Sequence, residues 1–589
     1  MHQFWVLALV LAARALECAG GPLGPRAALT TTTRPLKPFP GNRTHYSSGL
    51  PREGSDLADP LYRTTASGSV TILTDNARST APHAAALKAA HATWGNSQNI
   101  NVQWQQYGEG TEYREHYVNE VLDACEKKMM GGFDVVWVRA DQVGNLAECL
   151  EDLWSWNEAM AVEHGGVVAR GGLVNDRLVA VPAELSFGIM LYNLELLQRY
   201  GYVYPPATMN ELEEMATAVL AGERVLENFR LSGWTGPLTA NEDLTSVTTE
   251  WLAGMHASIL SDTGNITIAT TQTANFFARI TSWIEAGILS IEDIGTLDMA
   301  GAIDRFFDKR SIFLRTTTQH VPSIVANPPR FTWGIAPVPS QLESGLGVGT
   351  AEGWFVGVYK YSTNKAAAVK TAEWLTSQDY QKDKILDLGA AMVGTYPNFL
   401  LDRAVCNEYG TVSDVSLCGV YSQVSLTRRP VTQSGKKYEA VSTATQNAVL
   451  DVMTGKTYII TALVNLDATL RSIMGYPPQV VTIAIDDNVV IVRPGKKTPE
   501  KVGTQLAGLC VIATVTGVVV TLLRRKQRKD MERELMAGNQ QANQQGAAAE
   551  EMQQTVKEGD GNGKGKGRAN EEDHAEDAAL IQKSDKIEI

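Results

Sequence analysis

Phe133-Asp-Val-Val-Trp-Val-Arg-Ala-Asp141 begins as a strand of apolar and β-branched residues and ends on charge. Two shorter segments of the same kind precede it, Val70-Thr-Ile-Leu73 and Val102-Gln-Trp-Gln105. The intervening chain has helical character at 84–94 and 113–130. The second of these places Tyr117, Val121, Leu122 and Cys125 at core spacing. A further helix is expected over 146–154. Strands separated by helices of this length predict a mainly parallel α/β sheet. Ligands of open sheets gather at the carboxyl ends of the strands. Here those ends are Thr74-Asp75-Asn76 and Arg139-Ala140-Asp141.

The rest of the chain frames this α/β stretch. Its 589 residues are 44% hydrophobic and 20% charged, ordinary values for a folded protein. The net charge of −13 gives no basic face for nucleic acid. Residues 1–20 read as a secretory signal, with an apolar run at 4–13 followed by small residues. Residues 21–66, rich in Pro, Gly, Thr and Arg, read as a linker. Residues 506–523 carry no charge and span about 27 Å as a helix, enough for a bilayer core. With 502–505 they form a predicted single transmembrane helix. Arg524, Arg525, Lys526, Arg528 and Lys529 follow it and place the 524–589 tail, expected to be disordered, in the cytoplasm. This topology puts the large domain on the extracellular or lumenal side of a plasma or endomembrane.

That compartment agrees with two sequons, at Asn42 and Asn265, expected to be glycosylated. Of six cysteines, Cys125, Cys149, Cys406 and Cys418 lie between signal and span, where an oxidising environment favours disulfides. Three pairings are open. The short loops favour Cys125 with Cys149 and Cys406 with Cys418.

The order of segments from 68 to 478 resembles the sugar-binding proteins of ABC transporters, closest to the trehalose/maltose-binding group. The resemblance rests on Phe133-Asp-Val-Val-Trp137, on Arg177-Leu-Val-Ala-Val-Pro182 running to Gly188-Ile-Met-Leu-Tyr-Asn193, and on Pro205-Pro-Ala-Thr-Met-Asn-Glu-Leu212. It continues through Phe307-Asp-Lys-Arg-Ser-Ile-Phe313, Trp333-Gly-Ile-Ala-Pro-Val-Pro339, Glu352-Gly-Trp354 and Arg429-Pro430. The resemblance implies an α/β, two-lobed periplasmic-binding-protein-like (type II) fold with a hinge. It implies a first lobe over about 67–181 and 345–377, and a second over about 185–339 and 386–476. It further implies hinge closure over a small carbohydrate, a disaccharide such as trehalose or maltose, for sensing or for delivery to a transporter or signalling partner.

Strand-end position and family segment together nominate Asp75, Asn76, Asp141, Glu184, Ser186 and Arg315 for the sugar hydroxyls. Trp251, Trp354 and Tyr396 are nominated for its apolar faces. Plainer roles stand beside these. Asp75, Asn76 and Asp141 suit helix capping, the two tryptophans suit a core, and Arg315 suits an ion pair. Gln142 and Val143 stand where the family often has tryptophan.

The sequence contains no His-Glu-x-x-His, Gly-x-Ser-x-Gly or P-loop motif, and its nine histidines show no metal-ligand spacing. No enzyme activity, metal or cofactor is therefore expected. The alternative reading is a receptor or adhesion ectodomain that keeps the fold but binds a protein. Residues 480–485 and 489–492 read as a hairpin about Asp486-Asp-Asn488, within a juxtamembrane stalk at 477–501.

Overall fold

The computed structural model describes residues 62–492, apart from 75–83, 107–112, 158, 162, 343, 389–392 and 486–487. The chain divides into two units at Pro494/Gly495, and the second lies wholly outside the described residues. The expected signal, linker, membrane span and tail, and Asn42, likewise fall outside them. Among the described residues no helix is long and apolar enough to cross a membrane.

The strands β1 (Gly68–Thr74), β2 (Ile100–Gln106) and β3 (Val135–Arg139) form where alternating and continuous apolar runs predicted them. β1 pairs in parallel with both neighbours. β4 (Val181–Asn193) is buried along its whole length. It is followed by β5 (Ser232–Thr235), β6 (Ser311–Thr317), β7 (Trp333–Ala336), β8 (Gly347–Val358) and β9 (Val424–Thr427). These nine strands make one sheet, with the path β2-β1-β3-β8-β4-β6-β5, β9 joined to β8, and β7 joined to β4.

Two strands of this sheet are longer than the rest because they serve both lobes. β4 pairs with β8 over Val181–Phe187, then with β6 and β7 over its second half. β8 pairs with β9 over Gly347–Thr350 and with β3 over Trp354–Val358. The crossing is irregular at Trp354/Phe355, where the register shifts. Gly353 permits this, since its φ is +113° and a Cβ there would stand 2.2 Å from the Glu184 carbonyl oxygen.

Separate apolar cores lie on the two sides of the crossing. One gathers Val70, Ile72, Val135, Trp137, Val356 and Leu375. The other gathers Leu197, Trp234, Trp251, Phe276, Trp283 and Leu463. The helix Met209–Val225 opens with a capping box, Thr208 and Glu211 each satisfying the other's backbone N–H. This is the local reason that the Pro-Pro-Ala-Thr segment starts a helix.

Three sequence expectations change. The 113–130 segment is a π-helical turn, Tyr113–Val118, leading into Asn119–Glu126. The 146–154 segment is not one helix but two short 3-10 turns, Ala147–Cys149 and Leu153–Ser155, separated at Leu150 by extended backbone. Leu150 is held there by a bridge to Tyr359, next to the Cys125–Cys149 disulfide. The hairpin exists, as β10 (Val481–Ile485) and β11 (Asn488–Val492), but it is no free-standing stalk. Val481 and Ile483 are buried in the core of the second lobe, with Trp283 and Leu463. The second disulfide joins Cys406 to Cys418.

Candidate functional site

The crossing strands bring Ala351, Glu352 and Phe355 to the middle of the molecule, beneath the end of β3 at Ala140. Arg428 and Arg429, which directly follow β9, close the space from the other side. The cavity left is about 30 Å³, room for one or two waters. Pockets that enclose small organic ligands run to roughly 300–1,000 Å³. As it stands, this space is too small for a sugar.

The walls of this space are mostly apolar, with Val168, Phe355 and Val431 among them, and three charged side chains, Glu352, Arg428 and Arg429, enter it. Arg429 is buried, and its Nη1 donates to Glu242 Oε2 at 3.0 Å. The same carboxylate accepts from the Tyr438 hydroxyl at 2.6 Å and the Ser442 hydroxyl at 2.7 Å. Glu242 lies in the first turn of the helix Glu242–Gly254, capped by Asn241, where the helix dipole favours an anion. Burial pushes the Arg429 guanidinium down, but Tyr438, Glu242, Glu352 and Asp141 outweigh it and hold its pKa above the ordinary value. Burial, with a smaller push from the Arg170 charge, lowers Arg428 to about 10 against the partial support of Asp262.

Behind this wall a second cluster is sealed from water. Arg315 donates from Nε and Nη2 to Glu250 at 2.9 and 2.6 Å. Its Nη2 stands 4.0 Å from Glu352, while its Nη1 and the facing Glu352 Oε1 have no hydrogen-bond partner among the described residues. Burial pushes the nearby Asp243 carboxyl up, with Glu352 adding to the effect.

The nominated residues are distributed unevenly about this site. Asp141, beside Ala140, is held by Arg139 at 3.0 and 3.1 Å and by Gln142 at 3.1 Å. Burial pushes its carboxyl up, yet Arg139 and Arg429 bring the pKa below the usual carboxylate range. Arg315 reaches the sealed cluster, so its guanidinium faces Glu250 rather than the cavity. Trp354 is half-buried in the crossing strand, opposite Arg139 and Glu184.

Four candidates take structural positions. Glu184 is buried in β4 and ion-paired with Lys384, which explains an acid among Pro182, Ala183 and Leu185. Ser186 is fully buried and accepts from the Thr318 hydroxyl at 3.3 Å. Trp251 packs among Trp234, Phe276 and Trp283 in the second core. Tyr396 donates to the Thr376 carbonyl at 2.9 Å, with its ring 4.4 Å from His164. Asp75 and Asn76 lie outside the described residues.

Arg428, Glu242 and Phe355 were not nominated, and Glu352 and Arg429 entered only as marks of resemblance. Their signal was the Arg-Arg-Pro run directly after a strand, in a chain that is acidic overall.

Comparison with known proteins fits this architecture. Residues 88–393, just over half of the chain, match the family described as bacterial extracellular solute-binding protein. A probable ABC transporter-binding protein of Deinococcus radiodurans is 29% identical over 353 residues, covering 58% of this chain and 79% of that one. Among solved structures, maltose-bound MalE3 of T. maritima aligns with a TM-score of 0.54 at 22% identity, over 69% of this chain and all of that one. The cyclic α-maltosyl-1,6-maltose binding protein of Arthrobacter globiformis gives 0.57 at 16% identity, over 69% and 98%. The sugar-binding protein MalE of Xanthomonas citri gives 0.55 at 18% identity, over 69% and 97%. At these identities the structural likeness speaks for the two-lobed fold. Proteins of this kind bind a solute without transforming it, and by the family match this chain belongs to the bacterial extracellular solute-binding proteins.

Proposed function

We propose that the chain binds a small carbohydrate, a disaccharide such as maltose or trehalose, between its lobes by hinge opening and closure. The observation that carries this reading is the convergence of Arg428, Arg429 and Glu352 on a space directly above the crossing of the two shared strands. Guanidinium and carboxylate groups are the donors and acceptors that vicinal hydroxyls require. Opening would expose Arg429 and Asp141 to sugar hydroxyls while their partners within each lobe hold them in place, and closure over a bound ligand would restore their burial. The maltose and cyclic α-maltosyl-1,6-maltose for which the similar proteins are named support the ligand class.

In this reading the domain sits outside the cell or in a lumen, held by a single span at 502–523. It senses the sugar or passes it to a partner. Titration of the full-length chain with maltose, trehalose and glucose, followed by melting temperature, tests it. A ligand that binds only the folded state raises that temperature. Arg429→Ala is expected to abolish the rise.

One observation favours the second reading, a receptor or adhesion ectodomain that binds a protein. The cavity holds only about 30 Å³, and Arg429 is already satisfied by Glu242. A flat response to every sugar, with no change in radius of gyration on addition, would leave this reading standing alone.

A further inference from the structure

A second concavity lies at the opposite end of the second lobe's strands. Its volume is about 540 Å³, against about 30 Å³ between the lobes. It is bounded by the starts of β5 and β6, and Arg310 immediately precedes Ser311. Arg310 is five residues from Arg315, roughly 17 Å along the strand at about 3.3 Å per residue. The pocket is thus separate from the interlobe site, and it lies away from the strand ends where solutes of such sheets bind.

Four arginines line it, Arg224, Arg230, Arg305 and Arg310, with a single acid, Glu292, among the described lining residues. Arg305 is engaged with Asp293 at 2.6 Å. Arg224 donates from Nη2 to the Ala286 carbonyl at 2.9 Å, which holds it against the end of the helix Thr271–Ala286. Arg230 is exposed and makes no ion pair among the described residues. The Nε of Arg310 is buried without a hydrogen-bond partner among the described residues, an arrangement that costs free energy unless something else accepts from it. Beside them the Phe229 ring stands 74% exposed at the rim.

We propose that this pocket binds a phosphate monoester, its oxyanion held by Arg230, Arg310 and Arg224 and its organic part resting against Phe229. Guanidinium groups match tetrahedral oxyanions in paired hydrogen bonds. An exposed aromatic ring offers the flat surface that a sugar or other small apolar body needs. The monoester is carried either by a soluble sugar or by a lipid headgroup, and both sources present the same chemistry.

The test uses the full-length chain with glucose 6-phosphate, inorganic phosphate and glucose at constant ionic strength, read by calorimetry. Vesicles containing phosphatidic acid are assayed in parallel by co-sedimentation. Binding of glucose 6-phosphate, weaker binding of inorganic phosphate and none of glucose support a soluble source. Co-sedimentation that inorganic phosphate competes away supports a lipid source. In either case Arg230→Gln with Arg310→Gln is expected to weaken binding at least tenfold. The single change Arg230→Gln, at an exposed position, is expected to weaken it several-fold at an unchanged melting temperature. No binding in any arm, equal binding with chloride as competitor, or affinity that survives both substitutions overturns the proposal.

Discussion

Arg315 and Glu250 form a two-point ion pair with both side chains only 1% exposed. Glu250 Oε1 also accepts from the Thr350 backbone N–H at 3.0 Å, which ties the pair to β8 at the crossing. The fit is close enough that Gly188 must lack a side chain, since a Cβ there would stand 1.9 Å from Glu250 Oε1. Removing one partner of such a pair leaves a buried charge with nothing to offset its desolvation. Glu250→Ala is expected to lower the unfolding free energy by about 3–5 kcal/mol. Replacing both partners with apolar residues of similar volume is expected to restore most of it. Urea unfolding of both variants checks this, and equal losses in the single and double changes would contradict it.

Acid should destabilise the fold well before carboxylates protonate. His164 is buried, its Nδ1 2.7 Å from the Thr395 hydroxyl, and burial drives its pKa down to about 3. A base with a depressed folded-state pKa stays neutral in the fold while the unfolded chain takes up a proton. Its contribution is complete above the unfolded value near 6.5 and is lost as the pH falls toward 3, at about 1.4 kcal/mol per unit. His320, lowered first by burial and then by Arg315, acts in the same direction. Denaturant titrations between pH 4.5 and 7 are expected to slope accordingly, and His164→Asn with His320→Gln to flatten the slope.

Asp141 governs a lower window. Its folded pKa is depressed, so its contribution is present above the usual carboxylate range and is lost as the pH falls through the folded value. Asp141→Asn is expected to remove that acid limb below about pH 4 while leaving the histidine window unchanged.

The hairpin belongs to the domain energetically. Ile483 is 1% exposed, in the second lobe's core. Ile483→Ala is expected to cost about 2–5 kcal/mol, the range for opening a cavity in a packed interior. A hairpin standing off as a spacer would show no loss in the same thermal or urea measurement.

The disulfides close loops with sequence separations of 24 and 12 residues. Loop-closure entropy assigns each about 3 kcal/mol. Reductant is expected to lower the melting temperature of the wild-type chain in two increments, with Cys406→Ser plus Cys418→Ser removing one of them.

Much of this molecule was legible from local pattern. The strands at 70–73, 102–105 and 133–138 and the hairpin depend on residues close in sequence, and the short loops favoured, among three open pairings, the two disulfides that form. Their hydrogen bonds and periodicities are properties of short windows, so the one-dimensional order suffices to read them. The two-lobed architecture was legible for another reason, because many such segments occur together in one order.

The site was not legible in the same way. Glu250 and Arg315 are 65 positions apart, and Arg429 and Glu242 are 187 apart. Nothing in either neighbourhood says whether a charged side chain faces a partner or a cavity. Only the crossing of β4 and β8 decides it, by carrying Arg315 behind the wall and Arg429 into it. Burial then selects the outcome, because a charge removed from water is tolerable only where the fold has placed its complement within hydrogen-bonding reach.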